Sequence, residues 1–254
     1  MKLVKLLANL GYGSRTQVER FLRQGAVTDA AGKVLGSRDF PPHADIRFKG
    51  EPLDQPGPLT LIFHKPAGYT CSTDDPGDTI YDLLPARFAL RNPVMSPVGR
   101  LDKDTTGLLL MTDDGQLLHR LISPKHHVPK TYQVTLDRPL EGHEGELFGG
   151  GELVLRGEEK PLLPAKLEVL GEKEARLTIE EGRYHQIRRM FAAAGNHVVA
   201  LKRVAIGALV LPEDLEEGEW RVLEAAELGL VKGDKPFPRQ DFGPVPQASR
   251  NRAI

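Results

Sequence analysis

From residue 130 to 230 short strand-like runs dominate the chain, "TYQVTL", "AKLEVL", "ARLTIEEG" and "NHVVALKRVAIGALVL". One segment interrupts them. In "HQIRRMFAAAG" (185–195) Ile187, Met190, Phe191 and Ala194 recur at helical spacing, and Gly195 provides a stop. Strands with a few helices, not in strict βαβ order, predict an α+β fold. Upstream, "LTLIF" (59–63) reads as a buried strand broken by "HKPAGY". The apolar run "LLLMT" reads as another strand, closed by a turn at Asp113–Asp114–Gly115.

The first fifty residues differ in character. "MKLVKLLANLG" places Leu3, Leu6, Leu7 and Leu10 on one helical face. "SRTQVERFLRQG" predicts a second helix, with Ser14 as N-cap and Gln17 completing a capping box. Val18, Phe21 and Leu22 form its apolar stripe; Arg15, Arg20 and Arg23 lie off it. "AVTDAAGKVL" reads as strand, turn, strand, and "GEPLDQPGP" (50–58) as a linker. The expected organisation is a small domain over 1–55 and a larger one over 59–231. The Pro-rich tail 232–254 has little to bury and is expected to be disordered.

The net charge of -1 over 254 residues hides an uneven distribution. Residues 1–50 carry nine Lys and Arg against four Asp and Glu. Two later blocks, 119–136 and 182–203, contain no acid at all. They hold Arg120, Lys125, Lys130, Arg183, Arg188, Arg189, Lys202 and Arg203, interleaved with Tyr132, Tyr184 and Phe191. Such blocks suit phosphate neutralisation with base stacking, although any one alone also fits a solvated basic face. The lone Cys71 excludes an intrachain disulfide and suits a reducing cytoplasm; a small buried strand residue is expected there. No uncharged apolar run is long enough to span a bilayer. Adjacent His126 and His127 would diverge in a strand, and no metal-ligand spacing is found, so no metal site is expected.

The remaining question is "GRLDKDTTGLLLMTDDG" (99–115). Arg100–Leu101–Asp102 stands beside an apolar strand. A carboxylate near a core needs a cationic or hydrogen-bonding partner, and Arg188 or Arg189 could supply it. "DKDTT" also matches the DxDxT signature of Mg-dependent phosphatases, but that motif follows its apolar strand, whereas here the strand comes after.

These stretches, with "KPAGYTCSTDDP", "SPKHHVPKTYQVTL" and "EGRYHQIRRMFAAAGNHVVALKRVAIGALVL", closely resemble pseudouridine synthases of the RsuA type over about residues 1–230. The first fifty residues resemble the alpha-L RNA-binding motif. The resemblance implies a mixed, mainly antiparallel sheet crossed by an active-site cleft. It implies isomerisation of one uridine of 16S ribosomal RNA without cofactor or metal, on free RNA or an assembling small subunit. Asp102 then aligns with the catalytic aspartate, Arg188 with its basic partner and Tyr132 with the tyrosine that stacks on the target base. Arg100 aligns with an arginine that fills the flipped base's vacancy, and Lys130 and Arg189 become substrate-binding cations. Arg15, Arg20 and Arg23 become RNA contacts of the N-terminal motif. Arg188 stands where near relatives carry lysine, and His64 where they usually carry asparagine. A cytoplasmic monomer is expected. A sister enzyme for 23S RNA and a non-catalytic assembly factor on the same fold are the alternatives.

Overall fold

A computed structural model describes residues 2–73 and 75–232. In chain order the first strands are β1 (Val27–Thr28), β2 (Arg47–Phe48), β3 (Glu51–Pro52), β4 (Thr60–Lys65), β5 (Ser96–Pro97) and β6 (Thr105–Thr112). They are followed by β7 (Lys130–Leu136), β8 (Lys166–Val169), β9 (Glu174–Ile179), β10 (Val198–Ile206), β11 (Leu209–Val210) and β12 (Trp220–Val222). The helices are α1 (Leu3–Asn9), α2 (Arg15–Arg23), α3 (Ala86–Ala89), α4 (Gly115–Ile122), α5 (Glu144–Gly149), α6 (Gln186–Ala193) and α7 (Ala225–Lys232). The fold is α+β with mainly antiparallel strands, as expected. The described residues divide into two compact units: those up to His126 with Leu211–Leu228, and His127–Val210 with residues 229–232. The tail expected to be disordered lies, beyond Lys232, outside the described residues.

In the first unit α1 and α2 cover a small antiparallel sheet, β1–β2–β3. Leu3, Leu7, Val18, Leu22, Val27, Leu35 and Ile46 form its core. The capping box is present: Ser14 Oγ accepts from Gln17 N, and Gln17 Oε1 accepts from Ser14 N at 2.8 Å. The expected second strand of "AVTDAAGKVL" shrinks to a single bridge, Thr28 to Val34. Asp29 is the reason, because its carboxylate accepts from both Ala31 N and Lys33 N at 2.9 Å and draws the chain into an Asx turn.

The 50–58 segment is more than a spacer. Asp54 takes a bidentate pair from Arg87, at 2.5 and 3.0 Å, and its backbone N–H donates to the Tyr12 hydroxyl. Gly11, at φ +84°, lies so close to the Arg87 carbonyl that a Cβ would collide with it.

The same unit contains β12–β4–β6 in that order, with β5 also paired to β6. All six residues of β4 are buried. The strand runs two residues past the expected "LTLIF", through His64 and Lys65, and ends at Pro66, which has no N–H to give. "DDG" is not a simple turn. Asp114 caps α4 by accepting from Gln116 N and Leu117 N. Asp113 is buried, accepting from Leu59 N at 2.5 Å and from Arg91 Nε at 2.8 Å.

In the second unit β7 lies between β10 and β9; β8 extends the ladder beyond β9, and β11 folds back on β10. Helix α6 buries Ile187, Met190 and Phe191, and Phe191 meets Phe148 of α5 edge-on at 5.1 Å. Helices α5 and α7 were not expected from periodicity, since α5 spans only six residues and α7 has no apolar stripe opposed to a polar face.

Candidate active site

The Asp102 loop answers the question its sequence raised. Leu101 is 6% exposed and anchors the loop in the core, while Arg100 on one side is exposed and Asp102 on the other is half-buried. Lys103 and Asp104 make an exposed turn, closed by Thr105 N donating to the Asp102 carbonyl at 3.1 Å. Beneath it lies Lys65, fully buried. Its ammonium donates to three carbonyls, Pro66 O at 2.9 Å, Lys103 O at 3.2 Å and Thr105 O at 2.9 Å. An ammonium has three protons, and each has an acceptor. Burial lowers the Lys65 pKa from its ordinary value, and the nearby Cys71, Asp104 and Asp102 act in the opposite direction. The loop backbone is therefore fastened from inside at both ends of its turn.

The second unit holds Lys130, Tyr132, Arg188 and Arg189. Lys130 and Tyr132 lie on β7, where period-two alternation puts them on one face. Burial, then the Arg203 charge, lowers Lys130 from the usual 10.5 to about 8; its Nζ donates to Val128 O at 3.0 Å. Tyr132 is paired in register with Arg203 of β10. The buried Arg203 guanidinium lies 6.0 Å from the Tyr132 ring centroid, and its Nη1 donates to the hydroxyl at 3.5 Å. Arg188 Nη1 donates to Val198 O at 3.0 Å, which ties α6 to the start of β10.

Arg189 is engaged locally, with Glu158 at 2.9 Å and the carbonyls of Tyr184 and Arg156 at 3.2 and 2.7 Å. The Arg189 hydrogen bond in turn holds the Glu158 carboxyl below the usual carboxylate range.

The three arginines of α2 are all exposed but do not share one environment. Arg15 lines a hollow of about 460 Å³ with Lys2, Lys5, Arg38 and the exposed Phe40. Arg20 instead lies over the Phe21 ring at 5.7 Å, beside Lys49. Cys71 is buried, at a bend rather than in a strand. Among the described residues no group of three His, Cys, Asp or Glu side chains could hold a metal ion. No helix among them is long and apolar enough to cross a membrane.

Sequence reasoning did not single out Lys65 or Arg203, which the structure sets against the Asp102 loop and against Tyr132. Lys65 does have a signal: a lysine that continues a buried run and precedes Pro. Arg203 has a weaker one, because only the β7–β10 register sets it opposite Tyr132.

The family model for RNA pseudouridylate synthases matches residues 60–193. "Ribosomal small subunit pseudouridine synthase A" of Yersinia pestis is 45% identical over 91% of this chain and 98% of its own length. The protein of that name from Escherichia coli K12 is 45% identical over 91% of this chain and all of its own length. A crystal structure of a pseudouridylate synthase is 43% identical, covering 91% of this chain and 99% of its own, with a TM-score of 0.65. From the family-model match over residues 60–193 and the similarity to these relatives over 91% of its length, the chain belongs to the RNA pseudouridine synthase family and is an RNA pseudouridine synthase.

Proposed function

We propose that this enzyme isomerises one uridine of 16S ribosomal RNA, without a cofactor, using Asp102 as the catalytic carboxylate. The observation that carries the reading is the Asp102 loop. A half-buried carboxylate stands on a turn whose Lys103 and Thr105 carbonyls are gripped by a fully buried ammonium, so the backbone that carries it is fixed before substrate arrives. The naming of the relatives for the small ribosomal subunit supports 16S over 23S RNA.

The chemistry balances within the substrate. The N1–C1′ bond breaks, the base turns, a C5–C1′ bond forms, and the C5 proton is lost as N1 gains one. No electrons enter or leave, so no redox partner is required. Asp102 serves this either by adding covalently to the substrate or by taking the ribose proton beside C1′; both need it ionised. The family resemblance gives Arg188 the role of the basic residue that keeps this carboxylate ionised. Tyr132 offers a ring to the target base and a hydroxyl to the departing C5 proton, and Arg203 holds that ring in place. Arg100 fills the vacancy that the flipped base leaves, and Lys130 is a phosphate or active-site cation. Arg189 serves the substrate through the loop it fastens. Residues 1–55, with Arg15, Arg20 and Arg23, add affinity for RNA, and the enzyme works as a monomer.

Tritium release from 16S RNA labelled at uracil C5 tests the reading. Wild type should release tritium. Asp102→Asn should lose about 10²–10⁴-fold in rate while keeping its melting temperature and RNA affinity. Wild-type turnover in Asp102→Asn would refute the assignment. RNA binding by wild type with no release from any ribosomal RNA would favour the assembly-factor alternative, and release from 23S RNA alone would favour the sister enzyme.

A further inference from the structure

Tyr184 is 77% exposed, the most exposed large apolar or aromatic side chain among the described residues. It is nevertheless held still. Its ring stacks on His185 with centroids 4.0 Å apart and planes 14° from parallel. Neighbouring side chains ordinarily diverge, by about 100° on a helix and 180° on a strand. They stack here because His185 adopts the left-handed conformation, φ 48° and ψ 33°, as N-cap of α6. A non-glycine residue stays there only when its surroundings enforce it.

The enforcement is visible on both sides of the pair. Arg183 N donates to Gln186 Oε1 at 2.9 Å, and Gln186 N donates to the Arg183 carbonyl at 3.1 Å. The buried Gln186 side chain donates in turn to Glu181 at 3.1 Å. The Arg183 guanidinium reaches Glu181 at 3.0 Å and the Lys160 carbonyl at 2.8 Å. Arg189 holds the Tyr184 carbonyl. Two arginines, a glutamate and a glutamine thus fix one turn whose outermost feature is a flat aromatic face turned to solvent.

We propose that Tyr184, backed by His185, is a stacking platform for a nucleobase of the substrate RNA other than the target uridine. The inference rests on the proposed function and extends it to how RNA is held. A rigid exposed ring loses little entropy on binding, and every base offers a π-face to it. The stretch from Gly182 to Arg203 contains no acid, and the two acids that reach this turn, Glu181 and Glu158, are paired with Arg183 and Arg189. Protein docking would need an apolar patch around the ring, whereas the side chains that fix this turn are charged and polar.

The test is RNA affinity and KM for unmodified 16S transcript with wild type, Tyr184→Ala and Tyr184→Phe. Tyr184→Ala should weaken binding and raise KM about tenfold, within the range of one lost base stack, and by more than kcat falls. Tyr184→Phe should match wild type, because the ring and not the hydroxyl carries the effect. In a short RNA around the mapped uridine, one abasic substitution should reproduce the Tyr184→Ala loss and not add to it.

Wild-type affinity and KM in Tyr184→Ala would overturn the platform, and so would a Tyr184→Phe variant as weak as Tyr184→Ala. A defect confined to ribosomal particles and absent on naked RNA would also overturn it, assigning the ring to a protein partner. Failure of the parent reading looks different: wild type itself would then form no pseudouridine in 16S RNA.

Discussion

Lys65 shows how much of the proposed site depends on one fully buried side chain. Its three hydrogen bonds fall on carbonyls in its own strand end and in a turn 38–40 residues away. Lys65→Met would keep the volume and remove the charge; Lys103 O would keep its bond from Gly68 N, but Pro66 O and Thr105 O would lose the ammonium, each lost donor costing about 1–3 kcal/mol before relaxation. The expected net loss is about 2 kcal/mol in urea unfolding, with a fall in turnover because Asp102 is no longer fixed. Unchanged stability and rate would remove Lys65 from this account.

Lys130 makes a separate prediction with a definite sign. It is protonated below about 8 in the folded protein and below 10.5 when unfolded. Between those values the unfolded chain binds more protons, so this group adds stability as pH rises through the window. Unfolding at pH 7.5, 8.5 and 9.5 should show that rise in wild type relative to Lys130→Met. Parallel pH profiles for the two would contradict the shift. That Asp102 stands at the edge of an apolar strand, and that Lys130 and Tyr132 share a strand, was legible because each placement follows from a contiguous stretch. Lys65 and Arg203 were not, because their partners arrive through strand pairing that no local window contains.

The elements follow the same division. Helix α2 was readable to its cap, since Ser14, Gln17 and the Val18–Phe21–Leu22 stripe are all local signals. Ser14→Ala should cost about 1 kcal/mol, measurable as a lowered melting temperature. No change would mean the first turn of α2 is held by other contacts. The α4 start was misread as a turn because Asp114 serves a cap and a turn equally well in sequence. The fate of Asp113, buried against Arg91, decides between them. The Thr28–Val34 hairpin was overread, because Asp29 satisfies the backbone amides that a second strand would have used.

For the whole molecule, the net charge of -1 says little, and where the charge lies says more. The α2 arginines are exposed on a helix whose opposite face is its core, so they are available to phosphate. Replacing Arg15, Arg20 and Arg23 together by Ala should weaken 16S RNA binding uniformly and flatten its salt dependence. The slope of log affinity against log salt should fall by about 2 if all three neutralise phosphates. An unchanged slope would place the N-terminal contribution elsewhere. The family and the α+β class were legible over most of the chain. The division into two units was not, since the second unit begins inside the basic block 119–136, with no break in composition to mark it.

The central claim is that Asp102 makes one pseudouridine in 16S RNA. Its most direct measurement is a carbodiimide-dependent reverse-transcription map of 16S and 23S RNA from a strain deleted for this gene, complemented with wild type or Asp102→Asn. The account predicts that one 16S stop disappears on deletion, returns with wild type and stays absent with Asp102→Asn. A 16S map unaltered by deletion, or a stop restored by Asp102→Asn, would contradict it.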